Sequence, residues 1–424
     1  MVKPDVLKHG LWLGAVALVV AFIGCRDFDA ALEKCQTDHT CSLDGGLPDG
    51  GLPDGGSPDA GPPADPFEGE PPGTCSLDAG LCLRSSKELL YNNGPTFTFR
   101  GLWGSRPDDV FLATDDGKNV MRFDGGFPNI DSVAYLNIYV QRLHGTDATN
   151  VWAISNQSYY GPCGGMPLMP VPNPSGGTCP TPVARYDGQG WLQLTQADDA
   201  GVSITPPALY TTGPNSTWVA TSNSGALRWD GQTWVEEPAS TSSYYSTIKA
   251  FWGPPASAPT FAVGGGYNYG EYGDYWRRGS DGGWDGPNQI NVASNILVAI
   301  AGPNEQNLYA VGGQNLVLQW DSRNNAWRAE TLPTLPPLNP PQSNRQAQDV
   351  WVSADGTDVW VTLDTNYVLR KHNGSWSVVT LPVPPDFQAV QVTGFENGDL
   401  WFTGVRNSSG IENGTTAYRF RRLK

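Results

Sequence analysis

The chain has 424 residues, of which 16% are charged and 11% are aromatic, and it contains 51 glycines and 36 prolines. This composition favours many short strands joined by turns over a helical fold, and one large all-β domain fits the length. The formal net charge of -16 would repel a phosphate backbone, so we expect no nucleic-acid partner.

Residues 1–24 have the layout of a secretory signal peptide. Lys3 and Lys8 precede an apolar run at residues 11–23 that is short for a membrane span, and Gly24 precedes Cys25. Residues 22–25, Phe-Ile-Gly-Cys, resemble the lipobox of bacterial lipoproteins. The resemblance implies acylation of Cys25 and a lipid anchor in a bacterial envelope, at the outer membrane or cell surface. The alternative is an uncleaved signal anchor.

Six cysteines remain after Cys25, an even number that is typical of an oxidising compartment. Their spacing favours three local disulfides, although other pairings stay open: Cys35–Cys41, Cys75–Cys82 and Cys163–Cys179. A zinc site would need paired CxxC-like motifs or histidine support, and the sequence has neither. We therefore predict no metal site and no cofactor.

Residues 25–74 are predicted to form a disordered tether with a small loop closed by Cys35 and Cys41. Residues 42–73 are mostly Gly, Pro and Asp, without periodic apolar positions. Such a stretch cannot bury enough apolar surface to offset the entropy of ordering it. Calcium binding would require bracketing acidic ligands, which the Pro-Asp-Gly-Gly repeats lack.

Residues 75–424 contain a repeat that predicts the fold. Each copy has an aromatic residue near the start of its second strand: Phe111, Trp152, Trp218, Phe261, Tyr309, Trp360 and Trp401. Several copies have Asp-Gly or Asn-Gly before the fourth strand, which predicts tight two-residue turns: residues 124–125, 187–188, 230–231, 281–282 and 373–374. A spacing of about 40 to 50 residues is typical of four-stranded propeller blades. The prediction is an all-β, seven-bladed β-propeller.

The seventh copy lacks a fourth strand, and residues 83–91 are predicted to supply it by strand exchange. Over residues 80–424 the pattern resembles the Asp-box and kelch-like propeller repeats of bacterial surface lipoproteins. This resemblance implies the propeller fold but no particular function, because propellers host binding proteins, hydrolases and lyases.

No catalytic residue is predicted. The sequence has no GxSxG, P-loop, HExxH or GxGxxG motif, and only His144 and His372 lie in the propeller. Paired carboxylates for glycoside hydrolysis would come from Asp274, Glu271 and Asp285. A site that binds a substrate carboxylate would use Arg228, Arg277 and Arg370. We favour turn-forming roles for the Asp residues and rim ion pairs for the Arg residues.

Loop length indicates where a partner would bind. The extended second-to-third connections, at residues 156–182, 265–274 and 405–415, and the blade-to-blade stretch 332–346 should share one face. The candidate binding residues on this face are aromatic: Tyr159, Tyr160, Tyr267, Tyr269, Tyr272 and Trp276. Such rings suit stacking on a sugar or packing on a protein, whereas the alternative is that they cover their own blades.

Two functions follow from these features. The first is a cell-envelope lipoprotein that binds a protein or glycan partner through its loop-rich face. The alternative is a polysaccharide-acting hydrolase or lyase that works in the central pit of the propeller.

Overall fold

The computed structural model describes the following parts of the chain: residues 75–76, 81–89, 99–114, 119–124, 132–136, 140–155, 183–194, 208–221, 225–240, 246–266, 272–291, 295–337, 346–363, 365–406 and 415–422. The predicted signal peptide, the lipidation site Cys25, the tether and the Cys35–Cys41 and Cys163–Cys179 bridges lie outside these residues. Within the described ranges, no helix is long and apolar enough to cross a membrane.

The described residues form strands almost throughout, with one 3-10 turn at Glu305–Asn307. The first fourteen strands are β1 Cys75–Ser76, β2 Leu81–Leu89, β3 Phe99–Arg106, β4 Asp109–Thr114, β5 Asn119–Asp124, β6 Ser132–Tyr135, β7 Val140–Asp147, β8 Asn150–Ser155, β9 Val183–Tyr186, β10 Trp191–Gln193, β11 Leu209–Gly213, β12 Ser216–Ala220, β13 Ala226–Trp229 and β14 Trp234–Glu237. The rest are β15 Ser246–Trp252, β16 Phe261–Gly266, β17 Tyr272–Arg278, β18 Trp284–Gln289, β19 Leu297–Ala301, β20 Tyr309–Gly312, β21 Leu316–Asp321, β22 Ala326–Ala329, β23 Asp349–Val352, β24 Asp358–Thr362, β25 Tyr367–His372, β26 Ser375–Thr380, β27 Phe387–Gly394, β28 Asp399–Arg406 and β29 Thr415–Arg422.

These strands form seven antiparallel sheets, and each sheet is one blade. Blades 1 to 6 each consist of four strands that follow one another in the chain, from β3–β6 in blade 1 to β23–β26 in blade 6. Blade 7 has the order β27-β28-β29-β2-β1. The first strands of successive blades contact one another around the ring, and β27 contacts β3, which closes it. The predicted all-β, seven-bladed propeller is confirmed.

Second strands are buried on both faces because neighbouring blades cover them from either side. In β8, Val151 and Ala153 pack into the core shared with blade 1. The alternate residues Trp152 and Ile154 pack into the core shared with blade 3. Since successive side chains of a strand point to opposite faces, an uninterrupted apolar run serves two cores at once. The predicted second-strand aromatics are all buried in the same way.

The predicted two-residue turn occurs at residues 373–374, where Asn373 and Gly374 both have positive φ between the paired residues His372 and Ser375. It is wrong for residues 187–188 and 230–231, which belong to four-residue connections between paired strand ends. There Gly188 and Gly231 have positive φ, while the preceding Asp carboxylate accepts backbone N–H bonds. A side-chain acceptor of this kind stabilises a longer turn.

Residues 279–283 form an analogous connection between β17 and β18, so a two-residue turn is wrong there as well. Gly282 has positive φ, and the Asp281 carboxylate accepts the backbone N–H of Gly283 at 3.0 Å. Gly125 of the turn predicted at residues 124–125 lies outside the described residues.

The fourth strand of blade 7 comes from the N-terminal part of the propeller. It is β2, which starts and ends two residues earlier than the sequence predicts, and it pairs with β29 along its whole length. Leu81 packs beside Trp360 and Phe420 in the core between blades 6 and 7. Cys75 in β1 is directly opposite Cys82 in β2. Direct opposition in an antiparallel pair brings two Cα atoms within disulfide range, which supports the predicted Cys75–Cys82 bridge.

Candidate functional site

One face of the propeller carries both the second-to-third and the blade-to-blade connections, and we call it the loop-rich face. It carries the connections at residues 156–182, 407–414 and 330–348, as the strand order requires. The prediction of an extended connection in blade 4 is wrong, because β16 continues to Gly266 and β17 begins at Tyr272. Leu332 and Leu335 pack against the core between blades 5 and 6, so part of the long stretch 332–346 is anchored.

The six predicted binding aromatics do not form a single set. Tyr159, Tyr160, Tyr267 and Tyr269 lie outside the described residues. Tyr272 is half-buried at the start of β17, on the loop-rich face.

The prediction is wrong for Trp276, whose side chain has no exposed surface. This residue pairs with Ala262 of β16 and packs beside Trp218 and Ile248 between blades 3 and 4. A ring in that position stabilises the fold and cannot stack on a ligand.

The central channel contains a side chain that crosses it. Arg142 of β7, in blade 2, donates a hydrogen bond of 3.2 Å from Nη2 to the backbone carbonyl of Val298 in β19, in blade 5. First strands surround the channel, and these two strands are three blades apart, so the side chain spans the opening. Arg142 is near the start of β7 and therefore near the loop-rich face.

A half-buried carboxylate, that of Asp349, lies at the same end of the channel. Asp349 begins β23 in blade 6, and it accepts backbone N–H bonds from Val350 at 3.0 Å and from Val392 at 3.1 Å. Burial raises the pKa of Asp349 to about 6, although the Arg142 guanidinium and the two N–H groups favour the charged form. The bond from Val392 links blade 6 to blade 7.

The proposed pair of catalytic carboxylates is not brought together. Asp274 is buried in β17 and accepts a hydrogen bond from Ser246 of β15. The pKa of Asp274 is raised, because the effect of burial exceeds the opposite effect of this bond. Asp285 lies on the outermost strand β18 and accepts from Ser240 at 3.3 Å. Glu271 lies outside the described residues. Among the described residues, no group of three or more His, Cys, Asp or Glu side chains is arranged to hold a metal ion.

The three candidate arginines, Arg228, Arg277 and Arg370, lie at equivalent positions of three different blades. They therefore do not gather into one site that could bind a carboxylate. Each is the cross-strand partner of the second-strand aromatic of its blade. Their ion pairs confirm the predicted rim role: Arg228 with Glu237 at 3.3 Å, Arg277 with Glu305 at 3.8 Å and Arg370 with Asp358 at 3.0 Å.

The same Arg position recurs in blades 1 and 2, and in several blades the guanidinium stacks over the aromatic ring. The distances from guanidinium carbon to ring centroid are 5.3 Å for Arg122 over Phe111, 5.9 Å for Arg185 over Trp152 and 5.0 Å for Arg370 over Trp360. Sequence reasoning missed this feature, although the signal is present as Arg-aromatic-Asp-Gly at residues 122–125, 185–188 and 228–231. The Arg is a structural part of its blade, and only in blade 5 does another residue, Gln319, pair with the second-strand aromatic.

The two histidines of the propeller both have structural partners. Burial lowers the pKa of His144 to about 4, and its neutral ring accepts the backbone N–H of Thr211 at 3.2 Å. His372 contacts Asp358 at 2.8 Å within the network that joins blades 6 and 7.

The chain is thus a seven-bladed propeller protein with a charged side chain across its channel. No family model and no curated protein matches the chain. Among solved structures, YCF48 from Cyanidioschyzon merolae is similar with 13% identity and a TM-score of 0.53, covering 79% of this chain and 98% of that one. YCF48 bound to D1 peptide is similar with 13% identity and a TM-score of 0.51, covering 80% of this chain and 96% of that one.

An inactive virginiamycin B lyase from Staphylococcus aureus, solved with quinupristin, is similar to this chain as well. The identity is 15% and the TM-score is 0.53, and the match covers 78% of this chain and 98% of the lyase. At these identities the comparisons support the fold alone.

Proposed function

We propose that this propeller binds a protein partner through the loop-rich face, at the mouth of the central channel. The observation that carries the proposal is the Arg142 side chain, which crosses the channel near the loop-rich face. YCF48, a propeller of similar fold, has been solved with a D1 peptide, and this adds support for a protein ligand over a glycan.

A polysaccharide-acting hydrolase or lyase fits the described residues less well. Glycoside hydrolysis uses two carboxylates that flank the scissile bond. Here Asp274 and Asp349 lie in blades 4 and 6, and each already accepts hydrogen bonds from the protein. A binding role requires no such pair.

We also propose that the protein is an exported envelope lipoprotein related to the Asp-box and kelch-like surface propellers. The support is the signal layout at residues 1–24, Cys25 in a lipobox-like context and the even number of cysteines after it. A Gly, Pro and Asp-rich tether would let the propeller reach partners away from the membrane surface.

The Cys25→Ser variant tests the lipid anchor. We expect it to lose labelling by a radioactive or clickable fatty acid and to leave the membrane fraction, because no acylated cysteine remains. The control is Cys35→Ser, which should keep both properties. If the Cys25→Ser variant stays in the membrane fraction, the N-terminal segment is an uncleaved signal anchor.

Site-specific photo-crosslinking in the native host tests the binding face. A benzoylphenylalanine in place of Tyr272, on the loop-rich face, should give a discrete protein adduct. The matched control replaces Gln189, which is exposed in the turn between β9 and β10 on the opposite face. Equal adducts at both positions, or none at either, would refute the proposed face, and an adduct that resists protease would indicate a glycan partner.

A further inference from the structure

We infer that residues 331–337 form an exposed polyproline II ridge, which an aromatic-lined groove of the protein partner binds. The segment reads Thr-Leu-Pro-Thr-Leu-Pro-Pro. It follows β22, the outermost strand of blade 5, in the connection to β23, the innermost strand of blade 6, so it leads from the rim of the loop-rich face toward the channel. This inference rests on the proposed function, because it names the surface and the chemistry by which that face holds its partner.

The burial of this segment repeats every three residues. Thr331, Thr334 and Pro337 are exposed, and the two pairs of residues between them are half-buried. Leu332 and Leu335, which are also three residues apart, pack against the core between blades 5 and 6. A polyproline II helix has three residues per turn, so it directs one row of side chains into the protein and another into the solvent. The period of burial therefore matches this helix.

A 3-10 helix also has three residues per turn, but the prolines argue against it. The residue before a proline is driven out of the helical region into extended conformations, and this applies to Leu332, Leu335 and Pro336. Within the described ranges, the backbone groups of residues 331–335 make no hydrogen bonds. A 3-10 helix needs such bonds at every turn, whereas polyproline II has none. The segment is therefore assigned as polyproline II.

The ridge offers apolar rings and carbonyl oxygens but few hydrogen-bond donors. Pro333, Pro336 and Pro337 have no backbone N–H. Grooves lined by aromatic side chains recognise polyproline II segments, because the flat rings pack against prolines. Trp and Tyr in such a groove also supply an N–H or O–H donor to the carbonyls of the segment. A partner groove that exposes Trp and Tyr side chains therefore complements the ridge.

The contact involves no charge from this chain. Residues 331–337 contain no ionisable side chain. The adjacent Glu330 accepts hydrogen bonds from Lys371 Nζ at 2.8 Å and from Trp376 Nε1 at 2.6 Å, so its charge is already offset within the protein. The matching groove is therefore aromatic rather than charged. Because the two leucines hold the ridge in place before binding, little ordering entropy is lost when the partner docks.

Photo-crosslinking from the ridge tests the contact directly. Benzoylphenylalanine in place of Thr334, in the full chain and in the native host, should give an adduct with the same partner that the probe at Tyr272 captures. Mass spectrometry should place the attachment point next to a Trp or Tyr of the partner. No adduct at Thr334, an adduct with a different protein, or attachment to a stretch without aromatic residues would overturn the inference.

A double glycine variant tests the role of the prolines. Combining Pro333→Gly with Pro336→Gly should lower the yield of the Tyr272 adduct at least about fivefold, because it removes two rings and raises the entropy cost of ordering the ridge. The matched control combines Pro254→Gly with Pro255→Gly, in the connection between β15 and β16 on the opposite face. This control should give the adduct in undiminished yield.

The Thr334→Pro variant tests the backbone conformation and should have the opposite effect. A proline fits polyproline II at this position, because the Thr334 N–H has no acceptor among the described residues and the preceding residue is already extended. We expect an equal or higher melting temperature and an equal or higher yield of the Tyr272 adduct. A lower melting temperature would overturn the polyproline II assignment, even if the double glycine variant did not fold.

A synthetic peptide of residues 331–337, added in large excess to isolated membranes, should compete for the groove and reduce the Tyr272 adduct. The same peptide with glycine in place of its three prolines should not compete. If neither the peptide nor the double glycine variant changes the adduct, the inference fails and the proposed function stands. If the probe at Tyr272 gives no adduct, the proposed function fails, and the attachment point of the Thr334 adduct still decides the inference.

Discussion

A chain that lacks residues 1–91 should no longer form a stable propeller, whereas a chain that lacks residues 1–73 should melt at the same temperature as the complete protein. The longer deletion removes β2, the fourth strand of blade 7, and the shorter one leaves it in place. Loss of β2 exposes the whole edge of β29 and uncovers the core that Leu81 and Leu83 complete beside Trp360.

The expected loss is large relative to the stability of a folded protein. Burying a leucine contributes about 1.5 to 3 kcal/mol. A typical hydrogen bond adds a net contribution of about 1 kcal/mol. Two leucines and a row of ladder bonds together approach the roughly 5 to 15 kcal/mol by which native proteins are stable.

Thermal melting followed by near-ultraviolet circular dichroism measures the effect. As a control, a synthetic peptide of residues 75–91, added to the chain that lacks residues 1–91, should restore part of its cooperative melting transition. Equal melting temperatures for the two deletions would show that blade 7 is stable without the exchanged strand.

Much of the ring could be predicted from local patterns. Trp152 and Trp360 stand in apolar runs, and each run is followed by a turn signal before the fourth strand of its blade, at residues 187–188 and 373–374. Because a blade is a local unit of sequence, its strands and its core aromatics are encoded within a single repeat. Even the exchange of β2 followed from one missing strand at one end and one surplus strand at the other.

The Trp276 error shows where local patterns fail. The preceding strand β16 ends in glycines at 264, 265 and 266, which have no side chains to reveal which face is buried. A one-residue change in register reverses the face of every side chain in a strand. Only the pairing of Gly266 with Tyr272 places Trp276 opposite Ala262 and hence in the core.

The channel site could not be predicted for a different reason. Arg142 and Val298 are 156 residues apart in the chain, and Asp349 is in yet another blade. No periodicity links these positions, because their proximity results from closing the ring. Side chains that meet across a closed ring depend on the global geometry, which a repeat pattern does not specify.

The Arg419→Met variant should lose about 3 to 5 kcal/mol of unfolding free energy, the usual cost of removing one partner of a buried ion pair. Arg419 of β29 donates two bonds to one Asp399 oxygen, from Nε at 3.0 Å and from Nη2 at 2.5 Å. The side chains of Arg419 and Asp399 are only 5% and 3% exposed, so water cannot replace the lost partner. Urea unfolding monitored by tryptophan fluorescence measures the change.

The matched control is Arg328→Met, because Arg328 pairs with Asp321 at the surface and is 63% exposed. Exposed pairs contribute about 0 to 1 kcal/mol, so this variant should remain close to the parent.

Combining Arg419→Met with Asp399→Asn should recover part of the loss, since the double variant leaves no uncompensated buried charge. If Arg419→Met and Arg328→Met were equally stable, the buried pair would contribute no more than a surface pair. The same would follow if adding Asp399→Asn to Arg419→Met caused a further loss of similar size. The Arg that stands opposite the second-strand aromatic in six of the seven blades would then stabilise them through its contact with the ring alone.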